Sequence, residues 1–96
     1  MSKPDFPYEV VEVIEVEPRG DYRLFVRFSN EAEGTQDFSN LIAKGGPMVE
    51  PLCDPAYFAR AFLDDGVVTW PNSFDLDPIA LHHDMKIAGL LQKPAA

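Results

Sequence analysis

Apolar and polar side chains alternate along the first third of the chain, a pattern that predicts β-strands. Residues 8–16 (YEVVEVIEV) are rich in β-branched side chains, which fit the pleated surface of a sheet. The alternation therefore predicts a first strand over this range. Its two faces are Val11 with Val13 on one side, and Val10, Ile14 and Val16 on the other.

A second strand is predicted over residues 22–28 (YRLFVRF), with Leu24 and its alternate neighbours on one face. Proline and glycine within residues 18–21 predict a tight turn, so the two strands should pair as an antiparallel hairpin. The other face carries Arg23 and Arg27, which we interpret as surface charges of the sheet. The hairpin would set them against glutamates of the first strand: Glu12, Glu15 or Glu17.

Turn and capping residues divide the middle of the chain. Residues 29–34 predict a loop, and residues 35–38 predict a short third strand. Ser39 is a good N-cap for a helical turn that the Gly45-Gly46 pair would end. The glycine pair lacks the spacing and the following Lys-Ser/Thr of a phosphate loop, so it is interpreted as a helix stop.

Asp54-Pro55 predicts the start of a short helix, because aspartate caps free N–H groups and proline suits the first helical position. The apolar stripe that follows this start should bury Phe58. Residues 64–66 (DDG) then predict a hairpin turn, and residues 67–70 a strand.

The segment TWPNSFDLDP turns the chain from that strand into a C-terminal helix. Trp70 should close the strand, because Pro71 cannot donate a ladder hydrogen bond, and Asn72 is a turn residue. Asp77-Pro78 repeats the cap-and-proline signal of the earlier helix. The predicted helix and its stop are residues 78–88 and Gly89.

These elements predict an α+β fold. It contains a small, mainly antiparallel sheet, made of the N-terminal hairpin and later strands, with two short helices, the second at the C-terminus. The 96 residues should form a single domain, residues 1–96, since two independent cores would not fit. Residues 1–7 are expected to form a loose arm, and residues 92–96 a tail.

Charge and cysteine content narrow the functional classes. The formal net charge is −8, from 16 acidic and 8 basic residues, which opposes direct binding to nucleic acid and favours a basic protein partner. Cys53 is the single cysteine, which rules out an internal disulfide and suits a reducing compartment. No stretch resembles a signal peptide or a membrane span, so we expect a cytoplasmic protein that does not bind membranes.

The strongest candidates for chemistry are His82 and His83, with Asp75 and Asp77 upstream, as the ligands of a small metal-dependent hydrolase. Neighbouring helical residues point about 100° apart, so the two histidines cannot form the facing pair that H-x-x-x-H would give. On the helix they share a polar arc with Lys86. We therefore interpret them as solvated side chains and expect neither a metal site nor a cofactor.

Asp84 and Cys53 stand apart from this pattern. Asp84 falls between Leu81 and Ala88 on the apolar arc of the predicted helix, so it either bridges to a backbone group or marks a contact with a partner. Cys53 precedes a helix cap, where a nucleophile could be activated, but a lone cysteine is more commonly a small buried residue. We expect no catalytic residue and no enzyme activity.

The hairpin, the D-x-x-x-F segment (Asp54 to Phe58), the WPN turn and D-L-D-P resemble a bacterial family known as domain of unknown function 2442. Ser73 stands where that family usually has glycine after WPN. The resemblance implies a small α+β domain without established catalytic residues. It also implies members joined to a helix-turn-helix segment, and others beside another small gene, as in toxin–antitoxin or regulatory pairs.

Three functional hypotheses follow. The first is a non-enzymatic interaction or regulatory module that binds another protein, such as a basic one encoded beside it. The second is a transcription-linked module that acts through a separate helix-turn-helix partner. The third is the small hydrolase described above. An exposed strand edge would also permit a homodimer.

Overall fold

Two small antiparallel sheets and three α-helices make up the computed structural model, which describes residues 9–93. This architecture confirms the predicted α+β fold class, with a second sheet and a third helix added. The elements in chain order are β1 (Val13–Gly20), β2 (Arg23–Phe28), β3 (Glu33–Asp37), α1 (Ser39–Lys44), a 3₁₀ turn (Glu50–Cys53), α2 (Pro55–Phe58), β4 (Phe62–Asp64), β5 (Val67–Thr69), β6 (Asp75–Leu76) and α3 (Pro78–Ile87).

The first sheet has the strand order β1-β2-β3, with the predicted antiparallel hairpin at its start. The hairpin turn is centred on Asp21 and Tyr22, both at positive φ (53° and 60°), and not on residues 18–21 as predicted. Two successive positive φ values match the right-handed twist of the flanking strands. Pro18 lies within β1, where an edge strand tolerates a missing N–H.

The buried face of β2 is the one opposite Arg23 and Arg27, as predicted, and the face of the first predicted strand that packs with it is that of Val11 and Val13. Val11, Val13, Leu24, Val26 and Phe28 are all buried, whereas the side chain of Val10 is 77% exposed. The strand itself begins at Val13 and not at residue 8, and the register shifts between Val13 and Glu15. Burial of alternate apolar side chains therefore determines the face, as the pattern indicated.

The charge pairs on the outer face are only partly as predicted. Arg27 pairs with Glu15 at 2.9 Å and also with Glu33 at 3.0 Å. Arg23 lies 3.9 Å from Asp21, in the turn, and not against a glutamate of β1. These are half-exposed pairs of the kind that stabilise a fold by less than about 1 kcal/mol.

Trp70 holds the second sheet, of strand order β4-β5-β6, against the first. The indole is fully buried, and its N–H donates to the carbonyl oxygen of Phe58 at 2.9 Å. The Phe58 ring lies 5.6 Å from the indole and the Phe74 ring 5.8 Å from it, both centroid to centroid. Asn72 donates to the Met48 carbonyl at 2.9 Å. The TWPN turn therefore has a structural role: it places Trp70 in the core and bonds to the backbone of neighbouring segments.

The predicted helix caps are confirmed for α2 and α3 but not for α1. The carboxylates of Asp54 and Asp77 accept hydrogen bonds from Ala56 N and Ile79 N, both at 3.0 Å, so both predicted N-caps are confirmed. α2 ends at Phe58, since Phe62 already belongs to β4. The cap of α1 was assigned wrongly to Ser39. Ser39 is the first helical residue, because Asp37 accepts from its N–H and Oγ.

The C-terminal segment folds back on the first sheet. Gly89, at φ 74°, ends α3 as predicted, with Leu90 N donating to the Met85 carbonyl. Gln92 then pairs with Glu33 through an antiparallel bridge of two backbone hydrogen bonds. The predicted arm (residues 1–7) lies outside the described residues, as do residues 94–96 of the predicted tail.

Candidate interaction groove

A groove of about 260 Å³ runs between α1 and α3, where the last residues of β3 approach the start of α3. We call it the acidic groove. Its floor is apolar and its rim carries three carboxylates. The floor residues are Phe38, Leu41, Leu76, Ala80 and Leu81, the rim residues are Asp37, Asp77 and Asp84, and Gln36 and Asn40 complete the lining.

Two of the rim carboxylates, those of Asp37 and Asp77, accept hydrogen bonds from backbone N–H groups two residues further along the chain. Asp37 accepts hydrogen bonds from Ser39 N at 2.8 Å and Ser39 Oγ at 2.6 Å. These bonds lower the pKa of the exposed Asp37 carboxyl, with a smaller contribution from Arg23. Asp77 caps α3. Both carboxylates are therefore held in place at the mouth of the groove, and Asp37 stays ionised near neutral pH.

Asp84 is the third rim carboxylate, and its position explains its unusual place on the helix. It is exposed, one helical turn after Ala80 and three residues after Leu81, which both line the groove. The apolar arc of α3 therefore extends to the groove mouth at Asp84 and does not all face the core. The alternative that Asp84 bridges to a backbone group finds no such side-chain hydrogen bond in the described part of the chain.

Gln36 adds an unsatisfied acceptor to the groove wall. Its Nε2 donates to the Asp37 carbonyl at 3.2 Å, while its Oε1 is buried without a hydrogen-bond partner among residues 9–93. A buried acceptor without a donor costs free energy, and a ligand N–H could supply the missing bond.

His82 was placed wrongly on a solvated arc. Its side chain is 2% exposed and lies edge-on to Phe28, with ring centroids 4.9 Å apart. Asn30 Oδ1 accepts from Ala32 N, which turns its amide nitrogen toward His82 Nε2 at 3.1 Å. If this contact is a hydrogen bond, Nε2 accepts it and the proton of a neutral ring is on Nδ1, which is buried without a hydrogen-bond partner among residues 9–93.

Charged groups surround His82 on one side. Glu9 Oε2 lies 3.8 Å from Nε2, at a second cavity of about 230 Å³ that Lys86 and Lys93 also line. Burial lowers the pKa of His82, Glu9 opposes that shift, and Lys86, His83 and Lys93 add to it. The ring is thus held neutral near pH 7.

The residues of the hydrolase hypothesis are not brought together as a ligand set. Asp77 caps α3, Asp75 is exposed in β6, His82 is buried against Phe28, and His83 is half-buried on α3. Within residues 9–93 no group of three or more His, Cys, Asp or Glu side chains could hold a metal ion.

Cys53 is exposed, contrary to its interpretation as a small buried residue. It ends the 3₁₀ turn, and its backbone carbonyl accepts a hydrogen bond from the Tyr22 hydroxyl. The side chain of this segment that packs in the core is that of the neighbouring Leu52.

The residues of the D-x-x-x-F, WPN and D-L-D-P motifs contribute mainly to the core, the turns and the helix starts, and one of them lines the groove. Phe58 and Trp70 are in the core, Pro71 and Asn72 form the turn after β5, and the two Asp-Pro pairs start α2 and α3. Only Asp77 of this set lines the acidic groove.

Sequence reasoning singled out Asp84 but missed its groove partners. Asp37, Asn40 and Leu41 lie about forty residues before Leu76 and Ala80 in the chain. Their proximity follows from the packing of α3 against the first sheet, for which no local pattern in the sequence is a signal.

Comparison with known proteins identifies a family and leaves the activity open. Neither the curated proteins nor the solved structures contain a significant match. No helix within residues 9–93 is long and apolar enough to cross a membrane. The family described as protein of unknown function (DUF2442) matches residues 13–86, well over half of the chain, and the chain therefore belongs to that family.

Proposed function

We propose that this chain is a non-enzymatic interaction module whose acidic groove binds a basic segment of another protein. The observation that carries the proposal is the combination of an apolar floor with a rim of three aspartates. The family resemblance implies regulatory pairs, and the net charge favours a basic partner; such a pair would use this surface.

The negative charge of the groove is offset only slightly, through Arg23, which lowers the pKa of Asp37 but does not line the groove. Among residues 9–93, its lining contains Asp37, Asp77 and Asp84 but no lysine or arginine. The whole chain carries a formal charge of −8, so the local field and the overall field have the same sign. Both steer a cationic partner toward the groove and repel an anionic one.

The apolar floor of the groove offers a hydrophobic contact in addition to the charge attraction of the rim. Leu41 and Leu76 are only partly buried, while Phe38 and Leu81 close the groove from below. An aliphatic side chain that covers these residues gains about 25 cal/mol for each Å² of apolar surface removed from water. The preferred segment therefore alternates or intersperses aliphatic and basic residues.

The test is a capture experiment from a lysate of cells that naturally make the protein, with wild-type chain, Asp84→Lys and Asp64→Lys as baits. Asp84 makes no side-chain hydrogen bond in the described structure, so its replacement changes the rim charge without removing a bond. Asp64, in β4 and outside the groove, gives the same change in net charge.

The wild-type chain and Asp64→Lys should retain one basic protein, and Asp84→Lys should bind it roughly tenfold more weakly, since an attraction becomes a repulsion. Equal losses for the two variants would indicate binding through net charge and not through the groove. Capture of nothing by the wild-type chain at low salt would contradict the proposal altogether.

A further inference from the structure

β3 is the outer strand of the first sheet, and its free edge lies beside the acidic groove. Gln36 and Asp37 of this strand line the groove directly. In an antiparallel strand, the N–H and C=O groups of alternate residues point to opposite edges. The free edge therefore offers the backbone N–H and C=O groups of those β3 residues that point away from β2.

Two independent sets of hydrogen bonds identify the outward residues. Phe38 N donates inward to the Tyr22 carbonyl, so even-numbered residues face β2. Glu33 exchanges both of its backbone bonds outward with Gln92, so odd-numbered residues face away. The N–H groups of Thr35 and Asp37 thus point outward, and no other described residue bonds to them.

The chain already uses this edge for strand pairing, but only at one end. Pairing with the C-terminal segment stops beside Gly34, where the Leu90 carbonyl lies so close that a Cβ on Gly34 would be 2.2 Å from it. Beyond that point no described residue bonds to the N–H groups of Thr35 and Asp37, while the Asp37 carbonyl accepts from the side chain of Gln36, whose Oε1 is unsatisfied. Unpaired edge groups are a template for another extended segment.

We infer that the partner's basic segment is extended and adds to the free edge of β3 as a further strand. The inference rests on the proposed function and names the conformation that the partner takes. In an extended segment successive side chains point to opposite faces, so one set can enter the apolar floor while the backbone bonds Thr35 and Asp37. The aspartates of the rim pair with its basic side chains.

A second copy of this chain is the competing occupant of the edge. Pairing β3 with β3 would bring two acidic rims together, between chains that each carry a formal charge of −8. Like charges placed against one another oppose association. Charge therefore favours a cationic segment over a homodimer at this edge.

The probe is a short, fluorescent, end-blocked peptide of alternating leucine and lysine, with binding measured by anisotropy at low salt. Thr35→Pro removes one outward N–H without touching the bonds to β2, and an edge strand tolerates proline. Thr35→Ala is the matched control, because it removes the side chain and keeps the N–H.

We expect Thr35→Ala to bind like the wild-type chain and Thr35→Pro to bind roughly tenfold more weakly, as loss of edge hydrogen bonds predicts. Equal binding by the two variants would overturn the inference. Two further peptides, N-methylated on the leucines or on the lysines, test the wild-type chain without any substitution. One of them should lose binding, and equal affinity of all three peptides would overturn strand addition.

The outcomes separate the inference from the function on which it rests. Binding that Asp84→Lys weakens but Thr35→Pro does not would overturn strand addition and leave the groove proposal standing. A wild-type chain that binds no peptide would overturn both. A dimer in sedimentation that Thr35→Pro converts to monomer would assign the edge to a second copy of the chain.

Discussion

Ser73 holds a left-handed backbone conformation, with φ 72°, in the turn that follows Trp70. A side chain at such a φ is strained, whereas glycine adopts it freely. We expect Ser73→Gly to raise the free energy of unfolding by about 0.5–1 kcal/mol, the relief of strain exceeding the entropy cost of glycine. Urea unfolding followed by Trp70 fluorescence measures the change.

Ser39→Gly is the matched control for that substitution. Ser39 is the first residue of α1 and its Oγ donates to Asp37, so glycine there should lower the free energy of unfolding. A destabilised Ser73→Gly variant would show that the Ser73 side chain contributes more than its backbone conformation costs.

His82 should make stability depend on pH. Its pKa in the folded state lies below that of the unfolded chain, chiefly because of burial. The unfolded chain therefore binds more protons between the two values. The stabilisation is complete above the unfolded pKa of about 6.5 and is lost as pH falls through the folded pKa.

Urea unfolding at about pH 7.5 and about pH 5.5 tests this, with His82→Gln compared at both values. On acidification the wild-type chain should lose more stability than His82→Gln. The difference between variants removes the contribution of the carboxylates, which they share. Parallel pH profiles for wild type and His82→Gln would refute the assignment.

At the scale of elements, α3 joins the core to the groove. Its N-cap, Asp77, accepts from Ile79 N, and the helix carries Leu81, His82 and Met85 into the core. Asp77→Ala removes the cap and should cost about 1 kcal/mol of unfolding free energy. Asp77→Asn keeps an equivalent cap while removing a rim charge.

The pair of variants therefore separates the two roles of Asp77. Asp77→Asn should unfold at nearly the wild-type denaturant concentration but bind the leucine–lysine peptide more weakly. Asp77→Ala should be weakened in both measurements. If Asp77→Asn binds the peptide as well as the wild-type chain, Asp77 contributes only to the helix, and the rim consists of Asp37 and Asp84.

The whole molecule adds a field that no single carboxylate supplies. The chain has a formal charge of −8, and the part of it that the structure describes places no basic side chain in the lining of the acidic groove. Screening shortens the range of this field from about 10 Å at 0.1 M salt to about 3 Å at 1 M. Peptide binding and partner capture should therefore weaken steadily with added salt, and binding that salt does not change would indicate an apolar contact alone.

Elements governed by neighbours in sequence could be predicted. The Asp54 and Asp77 caps, the stop at Gly89 and the buried face of Leu24, Val26 and Phe28 all follow from groups within a few residues of one another. The same holds for the fold class, because strand alternation and cap signals set the element types. The observed element boundaries differ from the predicted ones where a residue suits two local structures. Pro18 lies in β1 and not in the turn, and Ser39 is the first residue of α1 and not its cap.

The sequence by itself determined the hairpin, the starts of α2 and α3, the net charge and the membership of a small α+β family. Tertiary structure alone decided that His82 is buried while Asp84 faces a groove, because the rotation of α3 depends on Phe28, Asn30 and Glu9 far along the chain. It also decided that β3 is the edge strand and that Asp37, Asp77 and Asp84 share one rim. Local rules specify which groups need partners, and only packing specifies which partners they meet.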